Sequence, residues 1–592
     1  MRPSRVHRTA LAGTASLFAA ALLLYGCGED VRPTSPIHEH GPSLRTVRVK
    51  PQFVDLSYVC GNTFRVDNRN AISFRVTWDV ANTSPLEKGE LLLPARSGDG
   101  AAYSTVTFTT QNRGTVRLYY GGKQIESQTN AGTACPPPPP PPPPPSANPG
   151  KWGSLFSWPV IGLHLNLLPT GKVLTWGHYN APRVWDPATG AFTSLSSPAL
   201  LFCAGHAFLP DGRLLVTGGH ISDGLGLRDA TLFNPFTQVW SKGSPMYVGR
   251  WYPTSTTLAN GEVLTIAGTD ESGNEARVPE VYTTAGGWRR LSSISVALPY
   301  YPRTFLAPNG QVFYAGELQG TRYIDPTGTG VWGPVIANRR VADRRYGSAV
   351  MYEPGKILYV GGGDPPTATA EIINLNSGTP TWTATGSMGV ARRHHTATVL
   401  ADGKVLVAGG TNGVGFNNEA AAVYTAELWD PATGAWRTLA ATAAGVPRAY
   451  HSASILLPSG RVLLTGNGDA GSSTNQLSAQ VFTPPYMLDG TGTLLPRPSI
   501  SSAPTSIAYG QSFLVGTASA SSIAKVTLVR LGTATHAFDQ NQRFNRLTFS
   551  VVSGGVQVTA PASRNAAPPG HYMLFILNTA GTPSVAKIVR LG

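Results

Sequence analysis

Short runs in which apolar and polar positions alternate, broken by clusters of Gly, Asn and Pro, recur from about residue 45 to the end of the chain. Each such run predicts a strand with one buried face. In residues 45–135 the runs SFRVTWDV, STVTFTT and GTVRLYYGGKQIES predict a small immunoglobulin-like β-sandwich. In residues 497–592 the runs KVTLVRLG, RLTFSVV and HYMLFILN predict a second one.

Between them, residues 151–490 repeat one unit, and a repeat has to be recognised before any fold is assigned. Seven hairpins, from NLLPTGKVLTWG to ILLPSGRVLLTGNG, carry a Gly at the turn: Gly171, Gly212, Gly261, Gly310, Gly355, Gly403 and Gly460. Their spacings are 41, 49, 49, 45, 48 and 57. Each unit continues into a second element such as RVWDPATGAF or ELWDPATGAW. A period in the forties, with Gly-Gly closing a strand and a Trp further on, describes a kelch-type blade. The predicted fold is therefore all-β: a seven-bladed kelch-type β-propeller flanked by N-terminal and C-terminal immunoglobulin-like β-sandwiches.

The segments outside these domains indicate export. Residues 1–27 run from an Arg-rich start through an apolar stretch to a small residue before Cys27, the pattern of a signal peptide. The end of it, Leu24-Tyr25-Gly26-Cys27, resembles a bacterial lipoprotein processing box, in which Cys27 would carry the lipid. Tyr25 is bulkier than such a box usually has, so plain secretion stands beside a cell-surface or outer-membrane lipoprotein. A lipid anchor would be the membrane attachment. Residues 28–44 read as a linker. A second linker, 136–150, contains ten consecutive prolines, Pro136 to Pro145, which form a polyproline II spacer about 30 Å long. Cys60 and Cys135 bracket most of the first sandwich, and in an exported chain they are expected to form a disulfide.

Composition narrows the function classes. A chain of 592 residues needs several domains. Its 66 Gly and 49 Pro, with 13% charged residues against the usual value of about 25%, fit a turn-rich β protein. The 41% hydrophobic content argues against disorder. Beyond the N-terminus there is no apolar run long enough to span a membrane, so a polytopic membrane protein is excluded. The net charge of +14 is spread along the chain without a dense basic run, and no nucleic-acid partner is expected.

Blades are related by rotation about the propeller axis, so residues at one repeat position form a ring around it. Nine residues before each turn Gly stand Gly162, Cys203, Tyr252, Tyr301, Tyr346, His394 and His451. One position earlier stand Phe202, Trp251, Tyr300, Arg345, Arg393 and Tyr450, and one earlier again Arg250, Arg344 and Arg392. This concentration of metal-binding and redox-active side chains at the start of each hairpin marks a site. Imidazole and phenolate suit copper or iron better than magnesium or calcium, and copper is preferred. Cys203 is left over if Cys27 is lipidated and Cys60 joins Cys135, and a thiol kept in an oxidising compartment calls for a role.

The segments FCAGHAFLPDGRLLVTGG, GRWYPTSTTLANGEVLTIAG, RAYHSASILLPSGRVLLTGNGD, GTATHAFDQNQRF and PPGHYMLFILNTAGTPSVAKIVR resemble the copper radical oxidases, the galactose oxidase and glyoxal oxidase family. The resemblance covers about residues 150–592. It implies one copper ion held by Tyr252, Tyr450, His451 and His536, with His536 carried on a hairpin of the C-terminal domain. It also implies a thioether between Cys203 and Tyr252 that supports a tyrosyl radical, with Tyr450 as the proton acceptor, so that Cys203, Tyr252 and Tyr450 are the catalytic set. The implied reaction oxidises an aldehyde or primary alcohol and reduces oxygen to hydrogen peroxide.

The resemblance is not uniform. Galactose oxidases place a Trp over the cross-linked Tyr just after the glycine pair that ends the blade, whereas here TIAGTDESGN puts Thr269 and Asp270 there. Arg250-Trp251-Tyr252 and LPYYPRTFLAPNG look more like glyoxal oxidases, which favours small aldehydes or their hydrates over galactose. Trp251, Tyr301, Arg303, Tyr346, Arg345, Arg393 and His394 are candidates for the substrate wall, with Trp251 read chiefly as packing near the metal. A surface glycan is a further candidate partner, a monomer is expected, and the alternative function is a non-catalytic cell-surface propeller that binds a glycan or protein.

Overall fold

The computed structural model describes residues 49, 51–70, 72–94, 104–132, 148–317, 319–469 and 473–592. Its regular structure is almost wholly antiparallel strand, and among the described residues no helix is long and apolar enough to cross a membrane. The fold class is the one the repeats predict. Cys27 and Cys135 lie outside the described residues. Cys60 ends the strand Val54–Cys60, but its side chain is also outside them, so the lipidation and disulfide expectations carry over untouched.

The first sandwich stacks a three-stranded sheet (Val54–Cys60, Thr63–Asn68, Ser104–Thr109) on a four-stranded one (Phe74–Val80, Lys88–Leu93, Thr115–Tyr120, Lys123–Thr129). Alternation decides which side faces in: along Thr63–Asn68 every second residue is buried, and Phe64 and Val66 meet Val116 and Leu118 in the core.

Seven sheets make the propeller: the third to the sixth are four consecutive strands each, the second is four strands interrupted by the small hairpin His220–Ser222 with Leu225–Gly226, and the first is four strands extended by a hairpin from the C-terminal domain. The last is completed from the other end of the domain: Ser478–Thr483 pairs with Lys151–Trp152 and Phe156–Ser157, so the first residues of the propeller close its final blade. Each of the seven turn glycines has a φ between 75° and 93°, a left-handed conformation that a Cβ would oppose. A Cβ on Gly218 would meet the carbonyl of Arg250, so this glycine lets the chain carrying Trp251 and Tyr252 lie against the preceding blade.

The second sandwich pairs a five-stranded sheet with a three-stranded one around Val526, Leu528, Leu574 and Ile576. From it one hairpin, Thr533–Thr535 with Phe538–Asp539, leaves the domain and adds to the sheet of the first blade, with Leu165 opposite Ala534. This excursion contacts the first strand of one blade after another. Thr533 Oγ1 donates to the His206 carbonyl, the Ser255 amide donates to Gln540 Oε1, Arg543 donates to the Leu306 carbonyl, Ser348 Oγ donates to the Ala537 carbonyl, and the Val399 amide donates to Gln542 Oε1. A segment bonded to six blades in turn can only lie on the axis, and His536 is at its tip.

Candidate functional site

The ring residues do not begin the strands, as the repeat suggests, but occupy the turn just before them. Cys203, Tyr252, Tyr301, Tyr346, His394 and His451 all have positive φ, at 59°, 64°, 46°, 58°, 58° and 65°. For a residue with a Cβ this conformation costs about 1–3 kcal/mol and clusters at functional sites. Amides of the ring close onto the carbonyl of the previous blade's ring residue: Tyr252 onto Cys203 at 2.8 Å, Tyr301 onto Tyr252 at 3.0 Å, and His394 onto Tyr346 at 2.9 Å. These bonds offset the strain and turn successive side chains toward the axis.

Four side chains converge there. Tyr252 Oη lies 2.6 Å from Tyr450 Oη and 3.4 Å from His451 Nε2. The His536 ring centroid is 4.5 Å from that of Tyr252 and 4.7 Å from that of His451, perpendicular to the latter. Each imidazole spends its Nδ1 on the protein: His451 Nδ1 lies 2.6 Å from the Gly468 carbonyl, and His536 Nδ1 lies 2.7 Å from Thr535 Oγ1. With Nδ1 so engaged, His451 Nε2 faces the Tyr252 phenol, and His536 Nε2 is a buried polar atom with no hydrogen-bond partner. Burial holds His451 down to about 3 and His536 well below the usual imidazole range, so both imidazoles are neutral at pH 7.

Among the described residues no cluster of three or more His, Cys, Asp or Glu side chains could hold a metal, so any ion at this point needs the phenols as ligands. Two imidazole nitrogens and two phenol oxygens are a donor set that fits copper. Cys203 belongs to the same buried cluster as Phe202, Trp251, Tyr252 and Tyr301.

The stacking aromatic missing at Thr269 is present, supplied from another position. Trp251 lies flat on Tyr252, with centroids 4.0 Å apart and planes 14° apart. Trp251 and Thr269 are partners across a two-residue β-bridge, so the indole has in effect crossed from one strand to the one facing it. Trp251 is thus packed flat on the phenol ring of Tyr252 and is 5% exposed.

The other wall candidates separate. Tyr301 donates its hydroxyl to the Ala204 carbonyl and stacks on His536 at 4.5 Å, propping that imidazole. Arg303 does not line the cleft: it is 2% exposed, donates to the carbonyls of Tyr301 and Gly347, and sits over Phe538. His394 Nε2 is 2.6 Å from the Phe416 carbonyl. Arg345 is held by Asp343, while Tyr346 stays half-buried beside His394 under the guanidinium of Arg393. Arg250, Arg344 and Arg392 turn into the blades and pair with buried Glu280, Glu371 and Glu427, so that row belongs to the scaffold.

Other residues near the site were not anticipated. Phe416 packs edge-on against Tyr450 at 4.7 Å and also meets Tyr346 and His394. Below the ring, His164 Nε2 accepts the Cys203 amide at 3.2 Å and its Nδ1 lies 3.0 Å from His206 Nε2. His164 and His206 are on the first strands of their blades, where inward alternation in the sequence could have flagged them. Nothing in the repeat could have flagged Phe416, which lies in a loop.

This fold and donor set define a copper oxidase built on a kelch propeller. The chain belongs to the copper radical oxidase family. The galactose oxidase-like early set domain family matches residues 497–591, and the kelch motif matches residues 392–441. The chain is 32% identical to a galactose oxidase of Gibberella zeae over 489 residues, covering 75% of this chain and 70% of that one. It is 28% identical to the aldehyde oxidase GLOX of Vitis pseudoreticulata over 474 residues, covering 72% and 89%. Among solved structures, a fungal alcohol oxidase in complex with copper superimposes with a TM-score of 0.69 at 27% identity, over 75% of this chain and all of that one.

Proposed function

We propose that this chain removes two electrons and two protons from a small aldehyde hydrate or primary alcohol and passes them to oxygen, forming hydrogen peroxide. The observation that carries the reading is the meeting of Tyr252 Oη, Tyr450 Oη and His451 Nε2 at one buried point, with the His536 ring packed against them. Copper bound there supplies one-electron redox chemistry and acidifies a hydroxyl bound to it. Tyr252, Tyr450, His451 and His536 would hold it.

The remaining work falls to side chains. Tyr450 Oη takes the substrate O–H proton as general base. Tyr252 holds the second oxidising equivalent and abstracts the hydrogen atom from the substrate carbon. A thioether from Cys203 Sγ to the Tyr252 ring lowers the potential of that phenol. Its formation loses the S–H and one ring C–H, and two electrons and two protons go to oxygen. Trp251, flat on Tyr252, keeps water off the radical face.

Preference for small aldehydes over galactose is supported by the Arg-Trp-Tyr run at 250–252 and by the matches to aldehyde oxidases. Export, with a lipid on Cys27 or as a secreted chain, a glycan partner and a monomeric state complete the proposal.

The test starts without substrate. Copper-loaded, oxygen-exposed protein is fully reduced at its disulfides, digested and weighed. The peptides bearing Cys203 and Tyr252 should run as one species lighter than their sum by two hydrogens. Separate peptides in copper-loaded protein would remove the radical assignment. Peroxide release is then screened across glyoxal-type aldehydes, primary alcohols and galactose, and a preference for galactose would overturn the substrate reading.

A further inference from the structure

The amides of Tyr252, Tyr301 and His394 close onto the carbonyl of the ring residue before them, and Cys203 departs from that pattern. The ring residue before it is Gly162, where a Cβ would meet Thr465 Oγ1, and the Gly162 carbonyl is taken by that hydroxyl at 2.6 Å. The Cys203 amide donates instead to an imidazole, His164 Nε2, at 3.2 Å. Tyr346 also turns its amide to a side chain, Glu317 Oε1 at 3.3 Å, but Tyr346 has no covalent bond to form.

His164 and Trp176 stand opposite each other on the first two strands of the first blade, and their rings stack at 4.7 Å with planes 15° apart. Trp176 Nε1 donates to the Leu201 carbonyl at 2.9 Å. The pair therefore grips the turn from the neighbouring blade at residue 201 and again at residue 203. Tyr252 and Tyr301 grip it from the other side, through the Cys203 and Ala204 carbonyls at 2.8 and 3.0 Å. A φ of 59° is unfavourable for a Cys, and the amide bond to His164 is what a return to ordinary φ would give up.

An imidazole nitrogen that accepts an amide proton is bare, so the proton of His164 sits on Nδ1 and goes to His206 Nε2 at 3.0 Å, and the proton of His206 sits on its own Nδ1. Burial holds His206 down to about 3 and His164 well below the usual imidazole range, so each ring carries one proton near neutral pH. His206 lies on the first strand of the second blade, and its backbone is fixed to the axial hairpin through Gln540 Oε1 and Thr533 Oγ1. This order of protons has a cost, because His206 Nδ1 is buried without a hydrogen-bond partner among the described residues. Two apolar rings would fill the same space without that cost, so packing alone does not account for the pair.

We propose that His164, fixed in its tautomer by His206, is a positioning residue that holds Cys203 at the left-handed φ from which its sulfur meets the Tyr252 ring, and that it governs how fast the thioether forms but not how tightly copper binds. The inference rests on the reading of Cys203 and Tyr252 as partners in that bond. In the step, Cys203 Sγ joins a ring carbon of Tyr252, the S–H and one ring C–H break, and oxygen takes the two electrons and two protons as hydrogen peroxide. His164 acts on the backbone of Cys203.

The experiment adds copper and oxygen to protein prepared metal-free, stops samples over time, and follows by peptide mass the fraction of Cys203 and Tyr252 peptides that have joined. His164→Phe keeps a ring on Trp176 and removes the acceptor. Joining should slow by about tenfold or more, the size expected when one buried amide loses its acceptor. Copper affinity, read by chelator competition, should stay within about threefold. His164→Gln, which returns an acceptor oxygen where Nε2 stood, should recover most of the rate, and His164→Asn, too short to do so, should not. In metal-free protein the Cys203 amide should exchange its hydrogen faster in the Phe and Asn variants than in the parent and the Gln variant. Equal joining rates in parent and His164→Phe overturn the proposal, as does a loss of copper affinity as large as the loss of rate. If His164→Phe does not fold, the Gln and Asn variants carry the test, and equal rates in those two overturn it. Peptides that never join in the copper-loaded parent overturn the thioether reading itself, and the proposal with it.

Discussion

Thr535→Val tests whether the hairpin tip presents His536 as a ligand. Thr535 is fully buried, and its Oγ1 lies 2.7 Å from His536 Nδ1. For His536 Nε2 to bind copper, its Nδ1 must carry the proton and donate it to that hydroxyl. Valine keeps the shape and removes the acceptor. In the metal-free protein the proton is free to sit on either ring nitrogen and the ring is free to turn, so the loss there is smaller. The cost falls on the loaded form, where Nδ1–H becomes a buried donor without an acceptor, worth about 1–3 kcal/mol. At about 1.4 kcal/mol per factor of ten, that is about 5- to 150-fold in copper affinity. The loss of an outer hydrogen-bond partner of a metal-bound histidine, about 10–100-fold, falls in the same range. The assay is a competition titration against a chelator of known copper affinity, with thermal unfolding of the metal-free protein as control. His451 is the internal comparison, since its Nδ1 is held by a backbone carbonyl that no substitution removes. Affinity unchanged within about threefold, or about 0.7 kcal/mol, would refute the placement of His536 as ligand.

The other predictions concern the base, the axis and the scaffold. Tyr450→Phe should keep copper and lower turnover by about 10²- to 10⁴-fold, and a steady-state peroxide assay with undiminished turnover would remove Tyr450 as the base. Asp539 accepts the amides of Thr533, Asn541 and Gln542, yet burial outweighs these donors and raises its carboxyl above the usual range. An acid whose folded value is raised contributes stability below its unfolded pKa of about 3.9 and loses it as pH rises through the folded value. Asp539→Asn should therefore gain on the parent from acid to neutral pH in urea unfolding, and parallel curves would refute this. Glu280→Ala leaves the buried guanidinium of Arg250 without its carboxylate and should cost about 3–5 kcal/mol of stability. In the last blade Gln480 accepts a loop amide, that of Ala443, as Glu280 accepts that of Tyr247, while Arg448 donates to Gly466 and Ser478 and has no carboxylate partner among the described residues, so Gln480→Ala should cost clearly less. Equal losses in denaturant titrations of the two variants would contradict the ion-pair account.

Periodicity made the propeller legible, because every blade repeats a turn Gly that must be left-handed. It also located the ring, since rotation places equal repeat positions around one axis. Which residues near the ring face the axis was not legible. Arg250, Arg344 and Arg392 stand two positions before the ring and look as suited to a site as Tyr450 or Trp251, but they turn into the blades onto Glu280, Glu371 and Glu427. The positive φ at six of the seven ring residues redirects the chain there, and a sequence pattern carries no sign for φ at Tyr or His. His536 lay beyond the reach of periodicity altogether. It comes from another domain, and its candidacy rested on resemblance until the hairpin was seen bonded to blade after blade.

The case of Trp251 shows what determines a site when its sequence motif has moved. At Thr269 the sequence lacks the expected indole, and a reading by position alone leaves Tyr252 uncovered. Thr269 and Trp251 face each other across one β-bridge, with reciprocal amide-to-carbonyl bonds of 2.8 and 3.0 Å, so either position could carry a ring to the same phenol. What the chemistry needs is a flat aromatic over the face of Tyr252, whichever strand supplies it. Supplying it from residue 251 has a consequence of its own, because the indole N–H then points at His220. The indole that covers the face of Tyr252 is thereby also tied to the second blade through His220, so cover and anchor come from a single side chain.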